Sequence, residues 1–215
     1  MEGKSILVCF AVPTEARPFR THICRNDVQV LVTGMGQANA DTAIRATLTN
    51  VQPSLVLTCG FAGGLNPKYR VGEILFDADD SILSQRLLLN SAHRATFHCT
   101  DTIATTSEAK HALHLQTGAD AVEMESGIIR RLCAEKRIPS ATIRIISDGV
   151  NDSLPIDFAK FLTAEKKVHV PSLALHVLMR PARLIALLKF HHSLRRLAAK
   201  LAHALITALP AGSHP

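Results

Sequence analysis

The sequence predicts a single α/β domain, a mixed and mostly parallel central sheet flanked by helices, ending in a basic amphipathic helix. Three observations lead there. Short apolar, β-branched runs alternate with helical patterns and few hairpin signals intervene. Glycine-rich or acidic turns follow the carboxyl ends of those runs, where open α/β sheets place their ligands. The charge is also unevenly divided. Residues 1–165 hold 16 Lys/Arg and all 18 Asp/Glu, whereas 166–215 hold eight Lys/Arg and no acid, so the net +6 belongs to the tail.

Taken in order, Ser5–Val12 (SILVCFAV) is a continuous apolar run, as expected of a strand covered on both faces. Val28–Thr33 is a second strand stopping at Gly34, and Gln37–Leu48 (QANADTAIRATL) has helical spacing. Ser54–Cys59 is a third strand, ended by Gly60-Phe61-Ala62-Gly63-Gly64, and Glu73–Phe76 is a short fourth. Between Phe76 and Ala119 the pattern is weak. Ala119–Cys133 begins strand-like and turns helical, with Ile128, Ile129 and Leu132 on one side; Ala141–Ile146 is a further buried strand ending at Ser147-Asp148. From Arg183 to Leu205, leucines at 184, 187, 188, 194, 197, 201 and 205 recur at helical steps, with Arg183, Lys189, Arg195, Arg196 and Lys200 largely elsewhere on the wheel. The expected organisation is a catalytic domain over 1–165 and a basic helical extension over 166–215.

Composition excludes several classes. At 215 residues, 47% apolar and 20% charged, the chain can bury a sizeable core and is not a disordered one. Eight Phe, one Tyr and no Trp leave no aromatic ladder for single-stranded nucleic acid. Five scattered cysteines without a CxxC pair argue against a disulfide scaffold or zinc ribbon; they read as small buried apolar side chains in a reducing, cytoplasmic setting. Met1–Ser5 lead straight into a strand, so no signal peptide is expected, and no apolar run approaches the ~20 residues of a membrane span.

Chemistry concentrates at three strand ends: Glu15 in AVPTEARPF, Glu123-Met124-Glu125, and Ser147-Asp148. Each has a plain structural alternative. Glu15 can cap a helix or pair with Arg17 or Arg20, the Glu pair can bind Arg144, and Asp148 can sit in a turn or cap a helix. Three acids at three strand ends strain that explanation. Gly34-Met35-Gly36 starts like a dinucleotide fingerprint, but Asn39 stands where the third glycine is needed, so NAD binding is discounted. Gly60–Gly64 either lets backbone approach a ligand closely or is a tight turn.

At TGMGQANA (Thr33–Ala40), GFAGGL (Gly60–Leu65), AVEMES (Ala121–Ser126) and IRIISD (Ile143–Asp148) the chain resembles the purine nucleoside phosphorylase and methylthioadenosine/S-adenosylhomocysteine nucleosidase superfamily. The EMES and ISD pair is the specific part. The resemblance implies cleavage of a purine N-glycosidic bond. In that scheme Asp148 protonates N7 of the base, and Glu125 holds the ribose hydroxyls with Met124 packed on the sugar. Glu15 activates the attacking water. Glu123, Ser147, Phe61, Ala62 and Gly63 would line the site, with Arg144 behind them. An acid at the base neutralises the charge developing on the departing purine, and carboxylates near an oxocarbenium-like sugar stabilise it. Asp rather than Asn at 148 favours a 6-aminopurine, which leaves a hypoxanthine-releasing futalosine hydrolase less well supported.

Two departures from the methylthioadenosine enzymes stand out. Phe61 replaces a small polar residue, and the segment before AVEMES is shorter and lacks the aromatic that stacks on adenine, Ile103 being the nearest candidate. The ending, from IISDGVNDSLP through the leucine-rich helix, looks like the hopanoid-associated branch, whose members release adenine from adenosylhopane. A basic amphipathic helix suits such a lipid-linked nucleoside, because residues 180–208 can lie on the inner face of a membrane. The alternative is a helix packed on the domain with a solvated basic face; nucleic acid is a third, less supported use. No metal or organic cofactor is expected, with phosphate the one conceivable co-substrate. Water is preferred, since the first loop lacks the Gly-Asp-Pro turn with Arg of bacterial phosphorylases, while Arg17, Arg20 and Arg70 remain unassigned. The competing readings are a soluble methylthioadenosine/S-adenosylhomocysteine nucleosidase and a silent nucleoside-binding, membrane-associated module. A homo-oligomer is implied by the resemblance alone.

Overall fold

The computed structural model describes residues 5–155, 163 and 181–210, without the side chains of 181–184. The boundary drawn at 165/166, Lys166, Lys167, and the side chains of Arg183 and Leu184 lie outside the described residues. Among the described residues eight strands form one sheet: β1 (Ile6–Phe10), β2 (Val28–Val32), β3 (Leu55–Gly64), β4 (Ile74–Ala78), β5 (His93–Arg94), β6 (Phe97–Cys99), β7 (Ala121–Glu123) and β8 (Ser140–Asp148). The order is β2-β1-β3-β8-β4-β5, with β7 attached to β3 and β6 to β7. Only β4 on β8 and β7 on β3 are antiparallel, so the sheet is mixed and mostly parallel.

Alternation along β1 builds the layers. Ile6, Val8 and Phe10 face one core with Leu57, Ile143 and Phe19, while Leu7 and Cys9 face the other. The second core is closed by α2 (Gln37–Asn50) through Ala40, Ile44 and Leu48, and by α5 (Ser126–Glu135) through Ile128, Ile129 and Leu132. The first is closed by α1 (Pro13–His22), α3 (Ser81–Leu89) and the terminal helix α6 (Pro181–Ala208). A further helix, α4 (Ser107–Thr117), buries one residue, Lys110. Both α3 and α4 fall in the stretch where the sequence pattern was weak; α3 starts at the Asp80 cap, whose carboxylate accepts from Leu83 N–H at 2.7 Å.

Two expectations are corrected. The glycine segment does not end β3. The strand continues to Gly64, pairing with β8 as far as Gly63, with a register shift between Ala62 and Gly63. The same segment turns to meet β7 at Gly63 and Gly64. Of the cysteines, all free, Cys9, Cys59 and Cys133 are buried but Cys24 is exposed and Cys99 half-buried.

The terminal helix divides in two. From Leu194 onward its stripe is a packing face: Leu197, Leu201, Leu205 and the following Leu209 are buried, at roughly 1.5–3 kcal/mol each. Arg25 donates to Pro210 O at 2.5 Å and Arg86 to Leu209 O at 2.6 Å, satisfying carbonyls at the end of the helix with cations. Ile185 and Leu188, in contrast, are exposed. No helix among the described residues is long and apolar enough to cross a membrane.

Candidate active site

The parallel strands β1, β3 and β8 end on one side of the sheet, and a cavity of about 310 Å³ opens there, within the range of small-molecule sites. Every site residue expected from the sequence lines it, Arg144 excepted: Glu15, Phe61, Ala62, Gly63, Ile103, Glu123, Met124, Glu125, Ser147 and Asp148.

Glu15 sits in the first turn of α1, where a carboxylate meets unpaired backbone donors. It accepts from Ala11 N–H (3.1 Å), Val12 N–H (3.2 Å) and, across to β3, Phe61 N–H (2.8 Å). Gly60 makes that approach possible. Its φ is +149°, and a Cβ there would lie 2.6 Å from Glu15 Oε1 and 2.7 Å from Arg144 Nη1.

Arg144 lies inside β8, 1% exposed, beneath three glutamates. It donates to Glu123 at 2.5 Å and Thr58 Oγ1 at 3.1 Å, and its Nη2 stands 3.5 Å from Glu125. Its Nε has no partner among the described residues. Burial works against its charge, yet Glu123, Glu125 and Glu15 outweigh that and hold the guanidinium above its ordinary range.

The three acids divide their roles. Glu123 spends both oxygens on protein donors: Arg144, the N–H groups of Glu125 (3.0 Å) and Ser126 (2.8 Å), and the Ser126 hydroxyl (2.7 Å). Burial would raise its carboxyl, but Arg144 and these donors hold it below the ordinary range. Glu125 stands at the N-cap position of α5, its side chain making no cap bond, and accepts from Gly36 N–H at 2.8 Å. Burial pushes it up to about 7 against the pull of Arg144, and the Glu123 charge adds to the rise. Burial also raises Glu15, only partly offset by Arg144 and the three N–H donors.

Asp148 closes β8. Its Oδ1 accepts from the Ser147 hydroxyl at 2.5 Å, which also reaches Ala62 O at 3.2 Å. Its Oδ2 is paired with the ammonium of Lys110, whose side chain is fully buried. Sequence reading missed Lys110, Met35, Phe190 and Leu194. Met35 had a signal: the Gly34-Met35-Gly36 turn, with φ of +86° and +84° at the glycines, puts it on the cavity and Gly36 on Glu125. Phe190 and Leu194 also line the cavity and share the α6 face with Leu197, four and three residues apart, so helical spacing groups them. Lys110, in a segment of weak pattern, carried none. Among the described residues no lysine or arginine lines the cavity; Arg17, Arg20 and Arg70 are exposed elsewhere. No group of three His, Cys, Asp or Glu there is arranged for a metal.

A family model described as the phosphorylase superfamily matches residues 7–82 and 80–178. The chain belongs to that superfamily. Within the phosphorylase superfamily it is similar to the 5′-methylthioadenosine/S-adenosylhomocysteine nucleosidase of Bacillus velezensis, at 27% identity over 72% of this chain and 81% of that one. The enzyme of the same name from Marinomonas is 24% identical over 63% and 74%. Among solved structures, the Helicobacter pylori nucleosidase of that name with butyl-thio-DADMe-Immucillin-A superposes with a TM-score of 0.71 at 15% identity, covering 97% of this chain and 98% of that one. Futalosine hydrolase from H. pylori gives 0.69 at 15% identity, covering 95% and 97%. At such identities these superpositions establish the fold.

Proposed function

We propose that this chain hydrolyses the N-glycosidic bond of an adenine nucleoside bearing a bulky apolar 5′ substituent, adenosylhopane being the candidate. One observation carries the reading: Glu15, Glu125 and Asp148, distant in sequence, meet on one cavity whose wall also includes the apolar side chains of Leu154, Phe190 and Leu194. In the reaction water forms the bond to C1′ as the C1′–N9 bond breaks, and its electron pair departs with the purine. Asp148 gives a proton to N7, and Glu15 takes one from the water. Glu125, whose carboxyl burial pushes up to about 7, faces the cavity where the ribose hydroxyls would lie. Glu123 holds Arg144 and the start of α5, so the substrate-facing carboxylates keep their places.

Water is favoured over phosphate because a dianion needs a cationic or N–H cradle. The arginine nearest the site is engaged by three glutamates, and Glu15, when ionised, would repel phosphate. The 5′ chain would pack on Phe190 and Leu194, while exposed Ile185, Leu188 and Lys189 on other faces of the same helix supply apolar and basic groups suited to an anionic lipid surface.

The test is adenine release from adenosylhopane in liposomes and from methylthioadenosine, each with and without phosphate. Release from the hopanoid without phosphate is expected. A phosphate requirement would overturn the choice of water, and turnover of methylthioadenosine alone would make this a nucleosidase of small thioethers. Release from neither would sink the reading.

A further inference from the structure

Helix α4 presents a charged residue, Lys110, as its one buried side chain. Its ammonium has three N–H donors and three partners: Asp148 Oδ2, Gly149 O at 2.9 Å and Asp152 O at 2.7 Å. The helix and the residues leading into it are also stitched to the turn after Asp148 by contacts that use neither lysine nor arginine. Ser107 N–H reaches Ser153 Oγ at 3.3 Å, His111 Nε2 lies 2.9 Å from Asn151 Oδ1, and Leu154 N–H donates to Thr105 O at 2.9 Å. Clipping that turn therefore does not require a cation. Two carbonyls could be met by an amide, and a buried charge adds little stability over a well-packed neutral group. What the cation uniquely does is face the carboxyl at the cavity wall.

We propose that Lys110 is a positioning residue for the glycosidic cleavage, an inference that rests on Asp148 being the acid. Its ammonium and the Ser147 hydroxyl each take one oxygen of Asp148, fixing the rotation of the carboxyl in front of the base. When the C1′–N9 pair leaves with the purine and N7 takes the Asp148 proton, the carboxylate left behind is met by the ammonium, which keeps its three protons. Lys110 thus stabilises charge that arises only as the proton moves.

A clip and a charge partner differ in how they depend on the leaving group. A nucleoside methylated at N7 already carries the positive charge that protonation supplies, so its base leaves without an acid. The experiment compares 5′-octylthioadenosine with its N7-methyl cation for the wild type, K110M, K110Q and D148N, each checked by melting to be folded. K110M and K110Q are expected to lose about 10²-fold in kcat on the adenine nucleoside, at the low end of general-acid effects. On the methylated one they should stay within about threefold of wild type, the pattern D148N should show more strongly. K110Q keeps donors for the two carbonyls, so it serves if K110M does not fold. Equal losses on both substrates, or failure of both variants to fold, would make Lys110 a clip and overturn the proposal. If D148N itself treats the substrates alike, or the wild type turns over neither, the reading beneath it fails instead.

Discussion

The two ends of the cavity handle charge in opposite ways. At one end Glu15, Glu123 and Glu125 share a single cation, Arg144; at the other Asp148 has Lys110 to itself. Where carboxylates outnumber cations in a buried space, the ionised form of some is disfavoured. The cluster resolves this by giving Arg144 closest to Glu123, leaving Glu125 pushed up to about 7 and Glu15 raised. A one-to-one pair has no such surplus. The difference teaches that cation supply, rather than carboxylate count, sets which buried carboxyls are pushed toward the protonated form.

The sharpest way to break the comparison is at the paired end. Asp148→Asn is expected to lower kcat for adenine release by about 10²–10⁴-fold, as removal of a general acid does, and also to lower the melting temperature, because buried Lys110 loses its counter-charge. Unchanged turnover would remove Asp148 from the reaction. At the shared end, Arg144→Met leaves three buried carboxyls without their cation. It should cost about 3–5 kcal/mol of stability, read by denaturant unfolding, because a buried charge loses its partner; a near-native midpoint would show that the cluster tolerates the loss by protonation alone.

The surplus itself has a pH signature. Glu125 binds its proton more tightly in the folded chain, at about 7 against an ordinary 4.5. Stability from this group is therefore fullest below about 4.5, declines as pH rises toward 7, and is level above. Glu15 adds to that slope, and Glu123, held low, opposes it. Glu125→Gln should flatten the decline by on the order of 2–3 kcal/mol, measured as unfolding free energy at pH 5 and pH 8. The smallest effect lies on the apolar wall. Phe190→Ala should raise KM about tenfold for a long-chain 5′ substrate and leave methylthioadenosine unaffected, as lost burial of one aromatic predicts; equal changes for both would place the 5′ chain elsewhere.

Much of the fold was legible because its signals are local. The all-buried β1, the Ala40–Ile44–Leu48 face of α2 and the Ile128–Ile129–Leu132 face of α5 each show their period within one segment. Acids at strand ends were legible for the same reason, and all of them reach the cavity. The GFAGG segment misled because glycine signals both a turn and a close approach. Here Gly60 continues a strand so that Glu15 and Arg144 can pass it. Residues 76–119 stayed obscure because α4 docks through a lysine, which no hydrophobic period marks.

The sequence by itself determined the α/β alternation, the placement of Glu15, Glu125 and Asp148 at strand ends, and the amphipathic character of the last helix. Only the tertiary structure decided who partners whom: Arg144 with three glutamates, Lys110 with Asp148, and the C-terminal half of α6 with the core while Ile185 and Leu188 stay exposed. The reason is physical. Periodicity is written between neighbours along the chain, whereas an ion pair depends on distances across it, and one leucine stripe reads the same facing a core or facing lipid.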